Sequence, residues 1–252
     1  MIHFVGAGCG APDLITMRGA ALLQAADAII YAGSLVNPAL LDYSKPGCEI
    51  FNSAKMTLDE VIAVMTRMEV GGKTTVRLHT GDPSLFGAIR EQMDRLESLR
   101  IPFDICPGVS SFCGVAATLQ AEYTLPAVSQ SVIITRMAGK TPVPPGESIR
   151  ALAAHGATMV IFLSAGMTEQ LQAELMAGGY PPDTPAAIVY KASWPDEKVV
   201  RCTVSSLHKA AVQNDISNLA LITVGGFLGD SYELSKLYDP AFTTAFRQGT
   251  NA

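Results

Sequence analysis

Thr74-Thr75-Val76-Arg77-Leu78-His79-Thr80-Gly81-Asp82-Pro83-Ser84-Leu85-Phe86-Gly87 reads as a buried-type strand that runs straight into a Gly-Asp-Pro turn. Leu85, Ile89, Met93, Leu96 and Leu99 then recur at helical spacing, which predicts an amphipathic helix starting at once after the turn. Strand, tight turn and helix in this order build an open α/β sheet, and such sheets bind ligands at the carboxyl ends of their strands. Gly81 lets a ligand approach the backbone. Asp82 can accept hydrogen bonds from ligand hydroxyl or amino groups, or offset a cationic ligand. Asp before Pro is also a common turn initiator in its own right.

The same alternation extends outward. His3-Phe4-Val5 is a short strand that closes on a second glycine loop, Gly6-Ala7-Gly8-Cys9-Gly10. A helix is predicted over 16–26 and an apolar strand over 28–32. Thr57-Leu58-Asp59-Glu60 has the form of a capping box opening another helix, with Leu58, Val61, Ile62, Met65 and Met68 at helical spacing and Gly71-Gly72 at its end. Phe103-Asp104-Ile105-Cys106 is a strand stopped by Pro107-Gly108, and Ser110 or Ser111 caps a helix running to about Leu119. Repeated β-α order implies a largely parallel sheet with right-handed crossovers.

Residues 122–130 lack periodicity, contain Pro126 and read as a linker. Beyond it, strands are expected over 131–136, 158–163, 186–190, 198–204 (antiparallel to its neighbour) and 219–224. Helices are expected over 167–177 and from Ser205-Ser206, and an exposed loop over 139–146. The expected organisation is therefore two α/β domains. An N-terminal domain over 1–121 has a mostly parallel sheet. A C-terminal domain over 131–252 has a mixed sheet, and the ligand cleft lies between them.

Composition sets the outer bounds. The 252 residues are 48% hydrophobic, enough for a buried core and too apolar for a disordered chain. A net charge of −5 argues against a general nucleic-acid surface. No apolar run approaches the length of a membrane span, and no basic leader precedes the first strand, so a cytoplasmic protein is expected. Five cysteines (Cys9, Cys48, Cys106, Cys113 and Cys202) with no CxxC pair argue for free thiols rather than disulfides or zinc. His3, His79, His155 and His208 show no metal-ligand spacing, so no metal site is expected.

Gly6-Ala7-Gly8-Cys9-Gly10-Ala11 formally matches the dinucleotide pattern G-x-G-x-x-A. The match lacks its context. Pro12-Asp13 delays the helix, and the strand at 28–32 ends in Gly33 without the acidic residue that would hold a ribose. No nucleophile elbow or phosphate-binding Walker loop occurs. The absence of nucleophilic machinery favours chemistry that works by positioning two ligands.

Taken together, Val5-Gly6-Ala7-Gly8-Cys9-Gly10 with Leu14-Ile15-Thr16-Met17-Arg18-Gly19, then Gly81-Asp82-Pro83, then Pro107-Gly108-Val109-Ser110-Ser111 resemble the three ordered motifs of the tetrapyrrole methylases. These are two-domain α/β enzymes that use S-adenosylmethionine. Tyr31-Ala32-Gly33-Ser34-Leu35-Val36, Pro126-Ala127-Val128-Ser129-Gln130-Ser131, Ile134-Thr135-Arg136 and Lys191-Ala192-Ser193-Trp194-Pro195 are similar to the branch that methylates carbon 11 of precorrin-4 or cobalt-precorrin-4 in cobalamin synthesis. The resemblance implies a homodimer with a tetrapyrrole substrate. It also implies a cofactor site at Gly8, Cys9, Gly81, Asp82, Pro83, Phe86, Ser110, Ser111, Leu163, Ala192 and Ala220. Where that family usually reads Gly-Pro-Gly-Asp, Cys9 replaces the proline and Ala11 the aspartate.

Such an acceptor carbon is its own nucleophile, so the protein must hold donor and acceptor aligned and let a proton leave. Tyr31, Glu122 and Asp104 are the candidate proton acceptors. A polycarboxylate macrocycle calls for cations, and Arg136, Lys140 and Arg18 are the candidates, Arg136 first and counted with the catalytic set. Three readings remain in competition. One is this methyltransferase, or one acting on another precorrin or uroporphyrinogen ring position. The others are an NAD-dependent oxidoreductase and a non-catalytic small-molecule binding module.

Overall fold

Side chains alternate across a strand, so a strand covered on both sides needs apolar residues at nearly every position. β1 (Ile2–Gly6), β2 (Ala28–Tyr31), β3 (Glu49–Asn52), β4 (Thr75–His79) and β5 (Phe103–Cys106) form a sheet in the order β3-β2-β4-β1-β5, with every pairing parallel. The central strands β1, β2 and β4 are buried along nearly their whole length, and the edge strands β3 and β5 are partly exposed. Val5, Ile29, Val76 and Leu78 point to the face covered by α1 (Met17–Ala25), where Leu23 is fully buried. Ile2, Phe4 and Ile30 point to the other face. There Val61, Ile62 and Met65 of α2 (Leu58–Val70) and Leu96 of α3 (Arg90–Ser98) complete the core. The Thr57–Glu60 capping box forms as expected. The fifth strand leads through Pro107-Gly108 into α4 (Ser111–Leu119).

The computed structural model describes residues 1–250. The chain divides into two units: Met1–Thr118 with Lys191–Lys198, and the remainder, Leu119–Tyr190 with the stretch from Val199 onward. The second unit contains β6 (Val132–Arg136), α5 (Ile149–Ala153), β7 (Thr158–Phe162), α6 (Thr168–Ala177), β8 (Pro185–Tyr190), β9 (Lys198–Thr203), α7 (Leu207–Gln213) and β10 (Ala220–Val224). Its sheet runs β6-β7-β10-β8-β9. β6 and β7 are parallel and β10 is antiparallel to both of its neighbours, so this sheet is mixed. The α/β class and the contrast between the two sheets agree with the sequence reading. Among the described residues no helix is long and apolar enough to cross a membrane.

Three features differ from expectation. The helix after Gly81-Asp82-Pro83 starts only at Arg90. Phe86 and Ala88 adopt φ of +55° and +49°, a backbone no right-handed helix contains, and residues 83–89 form an irregular turn instead. Residues 122–130 are not a free linker but belong to the second unit. There the Thr158 hydroxyl donates to the Tyr123 carbonyl (2.9 Å), and the Tyr123 ring meets Phe227 edge-to-face. The range 131–252 is not one continuous domain either. Lys191–Lys198 returns to the first unit, where the Ala11 N–H donates to the Ser193 hydroxyl (2.9 Å).

Candidate functional site

In the first unit, β1 and β4 are central neighbours whose chains leave toward opposite edges, to β2 and to β5. Such a reversal opens a crevice at the carboxyl end of an α/β sheet. The loops after β1, β4 and β5 meet there backbone to backbone. Gly8 and Gly81 form an isolated bridge, with the Gly81 N–H donating to the Gly8 carbonyl at 3.0 Å. A Cβ on Gly108 would lie 2.2 Å from the Gly81 carbonyl oxygen and 2.7 Å from the Gly6 Cα, so no side chain fits between the three loops. Gly81 itself has φ +61°, and a Cβ there would stand 3.3 Å from the Ser111 nitrogen and 3.4 Å from the Ser110 Cα. The result is a peptide-lined surface beside the first turn of α4. A ligand can reach main-chain groups there without crossing side chains.

Asp82 holds this arrangement. Its Oδ1 accepts from the Ser84 N–H (2.9 Å) and hydroxyl, and its Oδ2 accepts from the Gly108 N–H (2.9 Å). Partial burial pushes the carboxyl up, but hydrogen bonds from the Ser84 hydroxyl and from the Gly108 and Ser84 N–H groups outweigh it. The group therefore stays below the ordinary aspartate range. Pro83 is buried beside it, and Phe86 is 44% exposed at the far side of the turn.

Cys9 and Ala192 join the same cluster. A Cβ on Gly114 of α4 would come within 2.6 Å of the Cys9 Cβ, so Cys9 fills the space that a helix glycine leaves. The Cys9 sulfur lies 3.7 Å from the Ser193 hydroxyl. A Cβ on Gly10 would strike the Ala192 carbonyl and the Trp194 ring, both at 2.4 Å. Glu197 accepts from the Ser193 N–H and from the Thr118 hydroxyl (2.8 Å), which closes the 191–198 segment onto the end of α4. Gly8, Cys9, Gly81, Asp82, Ser110, Ser111 and Ala192 are thus brought together. Gly6, Gly108, Gly114 and Ser193 complete the cluster, although sequence reasoning gave them no role in the site. Gly6, Gly108 and Ser193 lay within quoted motifs, but their tight packing becomes visible only when distant loops are adjacent.

Tyr31 ends β2 at this same carboxyl edge, and its carbonyl accepts from the Ser53 hydroxyl (3.0 Å). Arg18 is exposed on α1. Asp104 lies within β5 opposite His3, whose Nδ1 is 2.6 Å from its carboxylate, away from the loops that close the strands. His79, directly before the turn, is 4% exposed and stacks on Phe4. Burial, helped by the nearby Arg77 charge, drops its pKa to about 3. The folded protein therefore keeps His79 neutral where the unfolded chain, titrating near 6.5, takes up a proton. Its contribution is complete above about pH 6.5 and is lost progressively as pH falls toward 3. From pH 6.5 to 4.5, urea unfolding should show a loss of about 2–3 kcal/mol that His79→Phe largely removes.

In the second unit, Arg136, Lys140 and Leu163 line one cavity of about 310 Å³ with Met137 and Met167. Arg136 donates to the carbonyls of Met137 (3.0 Å), Thr141 (3.1 Å) and Pro142 (2.8 Å), which uses three of the guanidinium's five N–H groups to fix the loop. Leu163 is 59% exposed with φ +52°. Ala220 opens β10 opposite Tyr190. Glu122 is exposed and accepts from the Thr124 hydroxyl at 3.2 Å.

A family model described as Tetrapyrrole (Corrin/Porphyrin) Methylases matches residues 1–208. The chain belongs to this family. It is 51% identical over 248 residues to a cobalt-precorrin-4 C(11)-methyltransferase of Methanocaldococcus jannaschii, covering 98% of this chain and 96% of the relative. It is 44% identical to a precorrin-4 C(11)-methyltransferase of a Sinorhizobium species, covering 98% of both. Among solved structures, a cobalt-precorrin-4 methyltransferase superposes with a TM-score of 0.89 at 45% identity, over 91% of this chain and 96% of that one. A Thermus thermophilus uroporphyrin-III C-methyltransferase in complex with S-adenosylhomocysteine gives 0.77 at 25% identity, over 90% and 98%. The methylase fold accounts for the pairing of a parallel with a mixed sheet.

Proposed function

We propose that this chain transfers the methyl group of S-adenosylmethionine to carbon 11 of precorrin-4 or cobalt-precorrin-4, as a cytoplasmic homodimer. The observation that carries the reading is end-to-end similarity, at 51% and 44% identity, to enzymes named for that reaction. Identity falls to 30% against a uroporphyrinogen-III C-methyltransferase of Bacillus subtilis, which favours the precorrin-4 reaction over the uroporphyrinogen-III one. Relatives named for both the cobalt-bearing and the metal-free substrate match, so the reading spans both.

The peptide-lined surface at Gly81, Ser110 and Ser111 fits this donor. It offers main-chain groups to a nucleoside and amino-acid ligand and would be filled by any Cβ at Gly81. When bound, S-adenosylmethionine would supply a sulfonium methyl group that an electron-rich carbon attacks in line, the C–S bond breaking as the new C–C bond forms and neutral S-adenosylhomocysteine leaving. The positive charge fades as the methyl leaves, so a bare carboxylate against the sulfur would favour the ground state over the transition state. Asp82 avoids this by spending its oxygens on Ser84 and Gly108, where it shapes the turn. Arg136 and Lys140 give the second unit's cavity a cationic side suited to ring carboxylates. Of the candidate proton acceptors, Tyr31 is the one at the carboxyl edge beside the glycine loops. Asp104 is taken by His3, and Glu122 hydrogen-bonds to Thr124.

The late start of α1, after Pro12–Leu14 forms a short 3-10 turn, removes the helix N-terminus that an NAD pyrophosphate would need. Calorimetric titration should therefore show binding of S-adenosylhomocysteine and none of NAD. Binding of NAD with no response to S-adenosylhomocysteine would transfer the protein to the oxidoreductases.

A further inference from the structure

Arg77 stands in the middle of β4, where a strand covered on both faces ordinarily carries an apolar residue. It is 7% exposed. Among the described residues it makes no salt bridge to a carboxylate. Its Nε donates to the Gln92 Oε1 (3.0 Å) and its Nη1 to the Ile30 carbonyl (3.1 Å). Gln92, in the first turn of α3 and 5% exposed, does not stop there. Its Nε2 donates to the Ala88 carbonyl at 3.0 Å.

Ala88 closes the irregular segment that replaces the expected helix. Phe86 and Ala88 both hold left-handed backbone, which non-glycine residues adopt only when their surroundings enforce it. Between them Gly87 folds back onto Pro83 so closely that a Cβ on it would lie 2.2 Å from the Pro83 carbonyl oxygen. Whatever pins the Ala88 carbonyl therefore also pins Gly87 on Pro83, and with it the Asp82 turn.

We propose that Gln92 is a positioning residue for the Gly81–Gly87 turn, its amide coupling the buried Arg77 guanidinium on one side to the Ala88 carbonyl on the other. The chain places a buried cation in the sheet and sets against it an amide side chain, which can accept from the cation and donate onward. A carboxylate at 92 would satisfy Arg77 better but has no proton for Ala88. A hydrophobic residue would satisfy neither. The tether rests on the methyltransferase reading only for the identity of the ligand it serves.

Gln92→Glu separates the two jobs, because it keeps the Arg77 contact and loses the donor to Ala88. Hydrogen–deuterium exchange on the intact chain should show residues 83–89 exchanging about tenfold faster in Q92E, with α2 and β4 unchanged. S-adenosylhomocysteine should bind about tenfold more weakly, a difference of about 1.4 kcal/mol. Gln92→Met should loosen the same segment and also lower the melting temperature, since Arg77 then loses its acceptor. Wild-type exchange at 83–89 in Q92E, with damage only in Q92M, would overturn the proposal and reduce Gln92 to a partner for Arg77. Failure of the wild-type protein to bind S-adenosylhomocysteine would remove the methyltransferase reading, while the exchange result still judges the tether.

Discussion

Gly108→Ala is expected to lose about 2–3 kcal/mol of stability, a melting point lower by roughly 5–10 °C, and about 100-fold in S-adenosylhomocysteine affinity. The added methyl group would sit 2.2 Å from the Gly81 carbonyl oxygen and 2.7 Å from the Gly6 Cα. Both obstacles are main chain, held by the β1–β4 and β1–β5 pairings, so no rotamer change relieves the clash. The loops after β1, β4 and β5 must part, and the surface offered to a ligand parts with them. Gly146→Ala is the control. A Cβ there meets nothing within 4 Å, and the change should stay within about 0.5 kcal/mol. Thermal unfolding and calorimetry on the two variants check the contrast.

Asp82→Ala should have the second largest effect. It removes the acceptor for the Ser84 N–H and hydroxyl and for the Gly108 N–H in one step. Hydrogen bonds to a charged group contribute about 1.5–3 kcal/mol in favourable cases, and the partial exposure of this carboxylate places the stability loss nearer about 2 kcal/mol. Affinity for S-adenosylhomocysteine should fall by at least about tenfold, because the turn and the Gly108 loop lose their common anchor. The Asp82 carboxyl is held below its ordinary value, so its stabilisation is present above the unfolded aspartate range and is lost as pH falls through the folded value. In D82A that acid-side loss should shrink. Wild-type affinity in D82A would show that Asp82 is only a turn former.

The strands β1, β2, β4 and β5 are legible because each is a short run with apolar residues on at least one face, followed closely by glycine or proline, as in Phe103–Cys106 before Pro107-Gly108. β3 was not legible. Its four residues, Glu49–Asn52, lie at the sheet edge with Ile50 exposed, so they carry neither a continuous apolar run nor a turn signal. α5 is only five residues long and follows a proline-rich loop, which leaves one helical turn of pattern to detect. The late start of α3 depends on left-handed backbone at Phe86 and Ala88, two residue types that do not announce it.

The site divides in the same way. Gly8, Gly81, Asp82, Ser110 and Ser111 could be chosen because their motifs are local. The crowding of Gly6, Gly81 and Gly108 arises because β5 pairs with β1 across about a hundred residues of sequence. Lys191-Ala192-Ser193-Trp194-Pro195 is legible as a motif, yet only Ala192 carries a role in the sequence reading, since nothing local reveals that Ser193 meets the Ala11 N–H. Arg77 passed as one polar residue in an apolar strand. The alternation Thr75, Arg77, His79 on one face of β4 was the available signal for a buried polar row.

The most direct measurement is the carbon-13 NMR spectrum of the product formed from precorrin-4 or cobalt-precorrin-4 and S-adenosylmethionine labelled in its methyl group. The account predicts one new labelled methyl on carbon 11 and a matching yield of S-adenosylhomocysteine. Label on a different ring carbon, or none transferred to either substrate by protein that binds S-adenosylhomocysteine, would contradict it.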